Sequence, residues 1–290
     1  MKLSVFVPTY NGKAKVERLL SRLQEQTDKE FEVHVLVDGS TDDTLSLQNK
    51  FPEYNFHSYS NSGRARIRNR AKEIYQDGIL LFLDDDMLPD KELIAKHKYF
   101  HRKNTGWILV GNGFRNEQDA HDSFAKYLVK AERQWIDAHK SAFNIHAKEF
   151  VFTACNLSMP VEIFSRLNGF NSTLSDGEDF EFGMRSLNAG INMHYDRNVI
   201  AWHDDWPTLA QYIRRNSEYL AGKKVLVKMN PEFEQYLKVN AGERSHNKFK
   251  QFFQRILGRA AMNNSILFRM LPLNLRFVAY KSAIYQFSQA

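Results

Sequence analysis

Residues 78–86 read Gly78-Ile79-Leu80-Leu81-Phe82-Leu83-Asp84-Asp85-Asp86. An uninterrupted run of large apolar residues is what a strand carries when both faces of its sheet are covered, as in a parallel sheet flanked by helices. Three carboxylates follow at once. Side by side they repel one another, at a cost in stability unless a cation neutralises them. Hard divalent cations such as Mg²⁺ or Mn²⁺ take carboxylate oxygens, and diphosphate oxygens complete the shell. Residues two apart on an extended segment point the same way, so Asp84 and Asp86 converge while Asp85 points elsewhere. A solvated acidic turn capping a helix near Asp90 gives the same pattern.

Upstream, apolar runs alternate with helical patterns. Leu3-Ser4-Val5-Phe6-Val7 is a strand stopped by Pro8. Asn11 and Gly12 open a helix whose inner face is Val16, Leu19, Leu20 and Leu23. Phe31-Glu32-Val33-His34-Val35-Leu36-Val37 is a second strand, and 54–58 a third, weaker one. Ser40 with Asp43 forms a capping box. Residues 63–76 form a helix with Ile67, Ala71, Ile74 and Tyr75 inside. This alternation implies βαβ crossovers and a mostly parallel sheet. Ligands bind such sheets beyond the carboxyl ends of the strands. One cleft therefore collects Thr9, Asp38 and the acidic triplet. Asp38 begins Asp38-Gly39-Ser40, which also suits a plain turn.

Downstream the pattern is less regular. Strands are expected at 107–110 and 150–154, and helices at 123–138, 160–167, 179–189 and 209–220. Two amphipathic helices follow from Lys248, broken near Pro272. The domain reading is 1–110, 111–222 and a basic helical extension at 223–290.

Composition and missing motifs narrow the classes. There is no G-x-G-x-x-G after the first strand, no phosphate-binding G-x-x-x-x-G-K-[ST] and no H-E-x-x-H. One cysteine, Cys155, excludes a disulfide scaffold and a cysteine-rich zinc site; it reads as a small buried residue. His97 and His101, at i and i+4, read as a helix surface rather than a zinc pair. No apolar run reaches the ~20 residues of a membrane span, and the opening residues do not form a signal peptide. The expectation is a cytoplasmic protein. Its net charge of +6 is uneven. After Glu243 there is no acid, but eight basic residues: Arg244, Lys248, Lys250, Arg255, Arg259, Arg269, Arg276 and Lys281. Subtracting those eight leaves the preceding residues at −2.

Val7-Pro8-Thr9-Tyr10-Asn11-Gly12, Val37-Asp38-Gly39-Ser40-Thr41-Asp42-Asp43-Thr44, Arg68-Asn69 and Phe82-Leu83-Asp84-Asp85-Asp86 together resemble the nucleotide-binding half of family-2 glycosyltransferases of the GT-A fold. Asn156-Leu157-Ser158-Met159, Gly169-Phe170 and Gly177-Glu178-Asp179-Phe180-Glu181-Phe182-Gly183-Met184-Arg185 resemble that family's acceptor half. The resemblance covers about residues 1–205. Val37 departs from it, since many members carry another Asp there. The resemblance implies an α/β fold, a Rossmann-like mostly parallel sheet flanked by helices, with a C-terminal helical extension. It implies an inverting, metal-dependent transfer from a nucleotide-diphospho-sugar, by default a UDP-sugar, to a hydroxyl of a glycan or lipid-linked saccharide.

The implied roles follow. Thr9 and Asp38 contact the nucleobase with Pro8 and Tyr10 beside it, and Arg68 reaches the nucleotide. Asp84 holds the ribose side, Asp85 and Asn156 complete the donor set, and Asp86 with Asp84 ligates Mn²⁺ or Mg²⁺. His203 is a third metal ligand. Asp179 is the general base and Glu178 binds the acceptor. An inverting transfer needs such a carboxylate to take the acceptor proton while the diphosphate leaves from the opposite face. Both acids also suit a plain helix start.

Two other classes fit the same acids: a sugar-phosphate nucleotidyltransferase, and a non-catalytic glycan- or membrane-binding scaffold. The first usually has a basic glycine-rich loop where this chain has Pro8-Thr9-Tyr10-Asn11. In the tail, Phe252, Phe253, Ile256 and Leu257 alternate with Arg255 and Arg259, a pattern suited to the inner face of an anionic membrane through 244–290 or to covering the body itself. Nucleic acid is not an expected partner, because the body is acidic and no binding module is present.

Overall fold

The computed structural model describes residues 1–138, 152–234 and 248–288. An eight-stranded sheet has the order β3-β2-β1-β4-β7-β6-β8-β5. Its strands are β1 (Leu3–Thr9), β2 (Glu32–Asp38), β3 (Asn55–Tyr59), β4 (Ile79–Leu83), β5 (Met87–Pro89), β6 (Ile108–Asn112), β7 (Asn156–Pro160) and β8 (Met193–His203). Strands β3, β2, β1 and β4 run parallel. Strand β7 lies antiparallel between β4 and β6, and β8 runs parallel to β6. The expected mostly parallel α/β sheet is present, with an antiparallel strand inserted at its centre.

Every residue of β4 is buried. Ile79, Leu81 and Leu83 join Val5, Val7, Val33 and Val35 in one core, together with Val16, Leu19, Leu20 and Leu23 of α1 (Lys13–Gln24). Phe82 faces the other way, into Phe164 and Phe170, which pack in turn on Phe182, with ring centroids 5.0–5.7 Å apart in each of these contacts. The continuous apolar run thus serves two layers at once.

Several local expectations change. The helix read over 63–76 is two short ones, α2 (Arg64–Asn69) and α3 (Ala71–Ile74). Ser40 does not cap; Asp42 does, accepting from the Thr44 amide at 3.1 Å, while Ser40 Oγ accepts from the Asn11 amide at 2.9 Å. The strand expected at 150–154 starts instead at Asn156, residues 150 and 151 lying outside the described residues. Strands β5 and β8 were not expected; β8 alternates buried and half-exposed residues and carries several charges, which hid it.

His97 and His101 correct a further expectation. They lie on α4 (Leu93–Lys103), not on its surface but buried against β7. Their contacts fix one tautomer each. The Asn156 amide donates to the carbonyls of Asn112 and Val199, each at 3.0 Å, so its Oδ1 accepts from His97 Nε2 at 2.9 Å. His97 Nδ1 then accepts from Ser158 Oγ at 2.7 Å, and Ser158 Oγ accepts from His101 Nε2 at 2.7 Å. Both imidazoles are held neutral: burial lowers His97 to about 4, and burial with His97 nearby lowers His101 to about 3.

The chain divides into two compact units. Residues 1–114 and 136–204 form the sheet unit; 115–135 and 205–290 form the second. The sequence reading placed its boundaries at 110 and 222. The second unit is held by apolar residues from both of its segments: Phe124 and Leu128 cluster with Ile213, Leu257, Phe268 and Tyr280. Its helices include Leu209–Met229, Lys248–Met262, Ile266–Met270 and Leu273–Phe287. The parts of the tail at 235–247 and 289–290 lie outside the described residues. Among the described residues, no helix is long and apolar enough to cross a membrane.

Candidate active site

Strands β2, β1 and β4 are adjacent and parallel, so their carboxyl ends deliver Asp38, Thr9 and Asp84 to one edge. Thr9 Oγ donates to Asp85 Oδ2 at 2.6 Å. Gly12 leaves room for that contact, since a Cβ there would lie 2.3 Å from Thr9 Oγ and 2.4 Å from Asp85 Oδ2. Tyr10 is exposed, and Pro8 sits within β1 opposite Leu36. Asn11 ties the two loops together: its Oδ1 accepts from the Thr41 amide at 2.7 Å.

Asp38 is buried, and its carboxylate accepts from the Ser62 amide (2.7 Å), Ser62 Oγ (2.9 Å) and the Gly63 amide (2.9 Å). It therefore shapes the loop entering α2. Asn156 lies at this edge opposite Leu83, the last residue of β4, but its side chain turns away into the sheet, where its amide is spent as described above.

The acidic triplet is divided among three environments. Asp84 accepts from Arg68 at 2.5 Å. Asp85 is desolvated and lies beside Asp86; despite the Thr9 hydrogen bond it is pushed up to about 7. Asp86 has Lys15 Nζ 3.0 Å from Oδ2 and His203 Nε2 3.2 Å from Oδ1. Burial opposes its ionisation, but His203 and Lys15 outweigh burial and hold the carboxyl well below the usual range. His203 reaches Asp86 because β8 pairs with β5, which begins directly after the triplet. Lys15, one residue before the inner stripe of α1, was missed in the sequence, where it looks like any cation on a polar helix flank.

Arg68 is buried and spans two carboxylates. It donates to Asp84 and, at 2.7 Å, to Glu178 Oε1, and its guanidinium lies 5.9 Å from the Phe170 ring. Glu178 and Asp179 open the helix Glu178–Asn188 after Gly177, whose φ of 75° is left-handed. Asp179 Oδ1 accepts from the Phe180 amide at 2.7 Å. Burial and the neighbouring Glu178 raise its carboxyl to about 6, against the pull of Arg68. Asn69 fixes the adjoining loop, donating to the Phe170 carbonyl and accepting from its amide, both at 2.8 Å. Cys155 is half-buried rather than buried, packed against the core; its thiol is pushed up by desolvation and by Asp84, which does not suit a nucleophile.

The same fold occurs in solved sugar-transferring enzymes. One is the Staphylococcus aureus TarS 1–349 structure in complex with UDP (TM-score 0.57, 19% identity, 100% of this chain and 90% of that one). Another is the Pyrobaculum calidifontis mannosyltransferase PcManGT in complex with GDP-Man and Mn²⁺ (TM-score 0.58, 18% identity, 97% and 86%). This is a glycosyltransferase of the GT-A fold. Its first half carries the decisive match. The chain belongs to glycosyl transferase family 2, whose model matches residues 4–167. It is also similar to the uncharacterized glycosyltransferase YfnE of Bacillus subtilis (strain 168), at 27% identity over 276 residues, 77% of this chain and 70% of that protein. Across the first curated relatives it spans between 50% and 70% of their length.

Proposed function

We propose that this enzyme transfers a sugar, with inversion, from a nucleotide-diphospho-sugar to a hydroxyl of a glycan or lipid-linked saccharide. One observation carries the reading. The strand ends present Thr9, Asp38 and the acidic triplet together, and Arg68 ties that edge to the helix start bearing Asp179. UDP-sugar is the default donor, supported by the TarS complexes with UDP and UDP-GlcNAc; the GDP-Man complex of PcManGT keeps GDP-sugars open.

The residues fit a divalent cation. Asp86 is ionised and its two oxygens already draw two cationic or hydrogen-donating groups, Lys15 and His203. Asp86 and His203, a carboxylate oxygen and an imidazole nitrogen 3.2 Å apart, would hold Mn²⁺ or Mg²⁺; Asp84, held by Arg68, is not gathered with them. The ion would neutralise charge on the departing diphosphate. Thr9 and Tyr10 lie at the mouth where the base is taken, and Asp38 holds the 61–63 loop beside it. Arg68, spent on Asp84 and Glu178, positions both acids rather than reaching the nucleotide itself. Asp179 takes the acceptor proton; Glu178, buried against Arg68, holds that helix start in place rather than meeting the acceptor, as the sequence had suggested.

A panel of nucleotide-sugars with Mn²⁺ tests this, read as release of the nucleoside diphosphate. Asp86→Ala is expected to lose cation-dependent donor binding in calorimetry. Release of pyrophosphate from a nucleoside triphosphate and a sugar phosphate would favour the nucleotidyltransferase instead.

A further inference from the structure

We propose that the helix Lys248–Met262 is a membrane-interface element that seats the second unit on an anionic bilayer. At ~100° per residue, Leu257 and Ala261 point to one side. They are 8% and 5% exposed and pack into the unit's own core. Phe252, Ile256 and Phe253 continue that apolar side over about the next 100°, where the small Ala260 among them still touches the core. They are 62%, 49% and 52% exposed. Arg255 and Arg259 fill the sector of about 60° next to Phe252, and both are exposed. A core-facing helix needs an apolar stripe of about 100°; here the stripe is nearly twice that, and its outer half is exposed. That outer half, apolar and rimmed by arginine, is the arrangement of a helix lying in a bilayer interface, with guanidinium groups at headgroup level.

Its neighbours extend the surface chemistry. Ile266 and Met270, one turn apart, are 74% and 76% exposed, and Arg269 beside Met270 is exposed as well. Val278 and Tyr285 are exposed on the helix Leu273–Phe287, with Lys281 between them.

Charge decides the occupant. The sequence from Arg244 onward has eight cations and no acid. A second copy docking through this face in a closed twofold would set arginine against arginine with no carboxylate of the segment to pair them. A soluble anionic polymer would satisfy the arginines but leave the phenylalanines in water. Anionic lipid meets both demands.

Flotation of the full chain with vesicles tests the assignment independently of sugar transfer. Binding is expected on equal parts phosphatidylglycerol and phosphatidylcholine, weakening as salt is raised, with little on phosphatidylcholine alone. Phe252→Ser/Phe253→Ser/Ile256→Ser is expected to lower the partition coefficient on the order of 100-fold. Arg255→Gln/Arg259→Gln is expected to lower it about 25-fold, at about fivefold per charge. Tyr99→Ser, at a 64% exposed site on α4, is expected to leave it unchanged. All these side chains are exposed, so melting temperatures should match the wild type. Failure to float with the anionic vesicles, or flotation that survives the triple substitution, would overturn the proposal. So would a dimer in solution that the triple substitution dissolves, which would give the face to a second copy.

Discussion

Replacing Arg68 with methionine tests the centre of the site most sharply. The side chain is 7% exposed, and its two partners, Asp84 and Glu178, are 33% and 5% exposed. Arg68→Met keeps the aliphatic stem but leaves Glu178 as an ionised carboxylate with almost no access to water. Removing one partner of a buried pair costs about 3–5 kcal/mol, mostly from the stranded charge. The sheet unit holds 1–114 and 136–204. For a unit of that size each kcal/mol moves the melting temperature by roughly 2–4 °C, so a fall of about 10 °C is expected. The Asp84 end of the bridge, being more solvated, contributes less. Differential scanning fluorimetry at neutral pH reads the effect. The added substitution Glu178→Gln removes the stranded charge, so the double variant should recover about half of the loss. Arg68 also pulls the Asp179 carboxyl down. Its loss should therefore shift the acid limb of the transfer profile upward from about 6. The reasoning fails if Arg68→Met melts within a degree or two of the wild type, or if adding Glu178→Gln lowers stability further.

Three more outcomes follow from the same geometry. As the proposed base, Asp179 would have to be ionised, and it is raised to about 6, so the transfer rate should rise with pH through that value; Asp179→Asn should bind donor normally and lose transfer by about a thousandfold or more, measured as product release under saturating donor. Lys15 Nζ sits on the Asp86 oxygen that a divalent ion would take, so Lys15→Met should tighten Mn²⁺ binding without nucleotide by about fivefold, the scale of a partly exposed ion pair, read by electron paramagnetic resonance titration; unchanged or weaker binding refutes the competition. His97 and His101 titrate at about 4 and about 3 when folded and near 6.5 when unfolded. The unfolded chain thus binds more protons below 6.5; stability is complete above that pH and declines as pH falls toward 4 and 3, on the order of 3 kcal/mol for His97 and 5 kcal/mol for His101. Urea midpoints across this range should show the slope, and His101→Gln should flatten it.

The first hundred residues were legible because burial on both sheet faces writes an unmistakable apolar run, as in Ile79–Leu83, and because polar residues then fall at the strand ends. Strand β8 was not legible: Asp196, Arg197 and Asn198 interrupt its alternation, and its pairing with β6 and β5 is wholly non-local. The burial of His97 and His101 could not be read from α4 alone, since the Ser158 and Asn156 side chains that satisfy them lie over fifty residues away. Arg68 was singled out in the sequence, but helix geometry could not reveal that two acids already claim its guanidinium. Asn156 lay in a family-like motif, yet its amide turns inward to the sheet.

The histidine relay also constrains assembly. Strand β7 enters against the direction of β4, so it has no crossover helix to set its alignment. Asn156 and Ser158, two residues apart, face α4 together, while Leu157 and Met159 face the opposite layer. A slip by a single position would turn Leu157 toward the imidazoles and leave both rings without a partner, deep in the protein. The relay is thus a key cut for one alignment of the central strand, and the correct seating of β7 can be checked by whether those two rings find their mates.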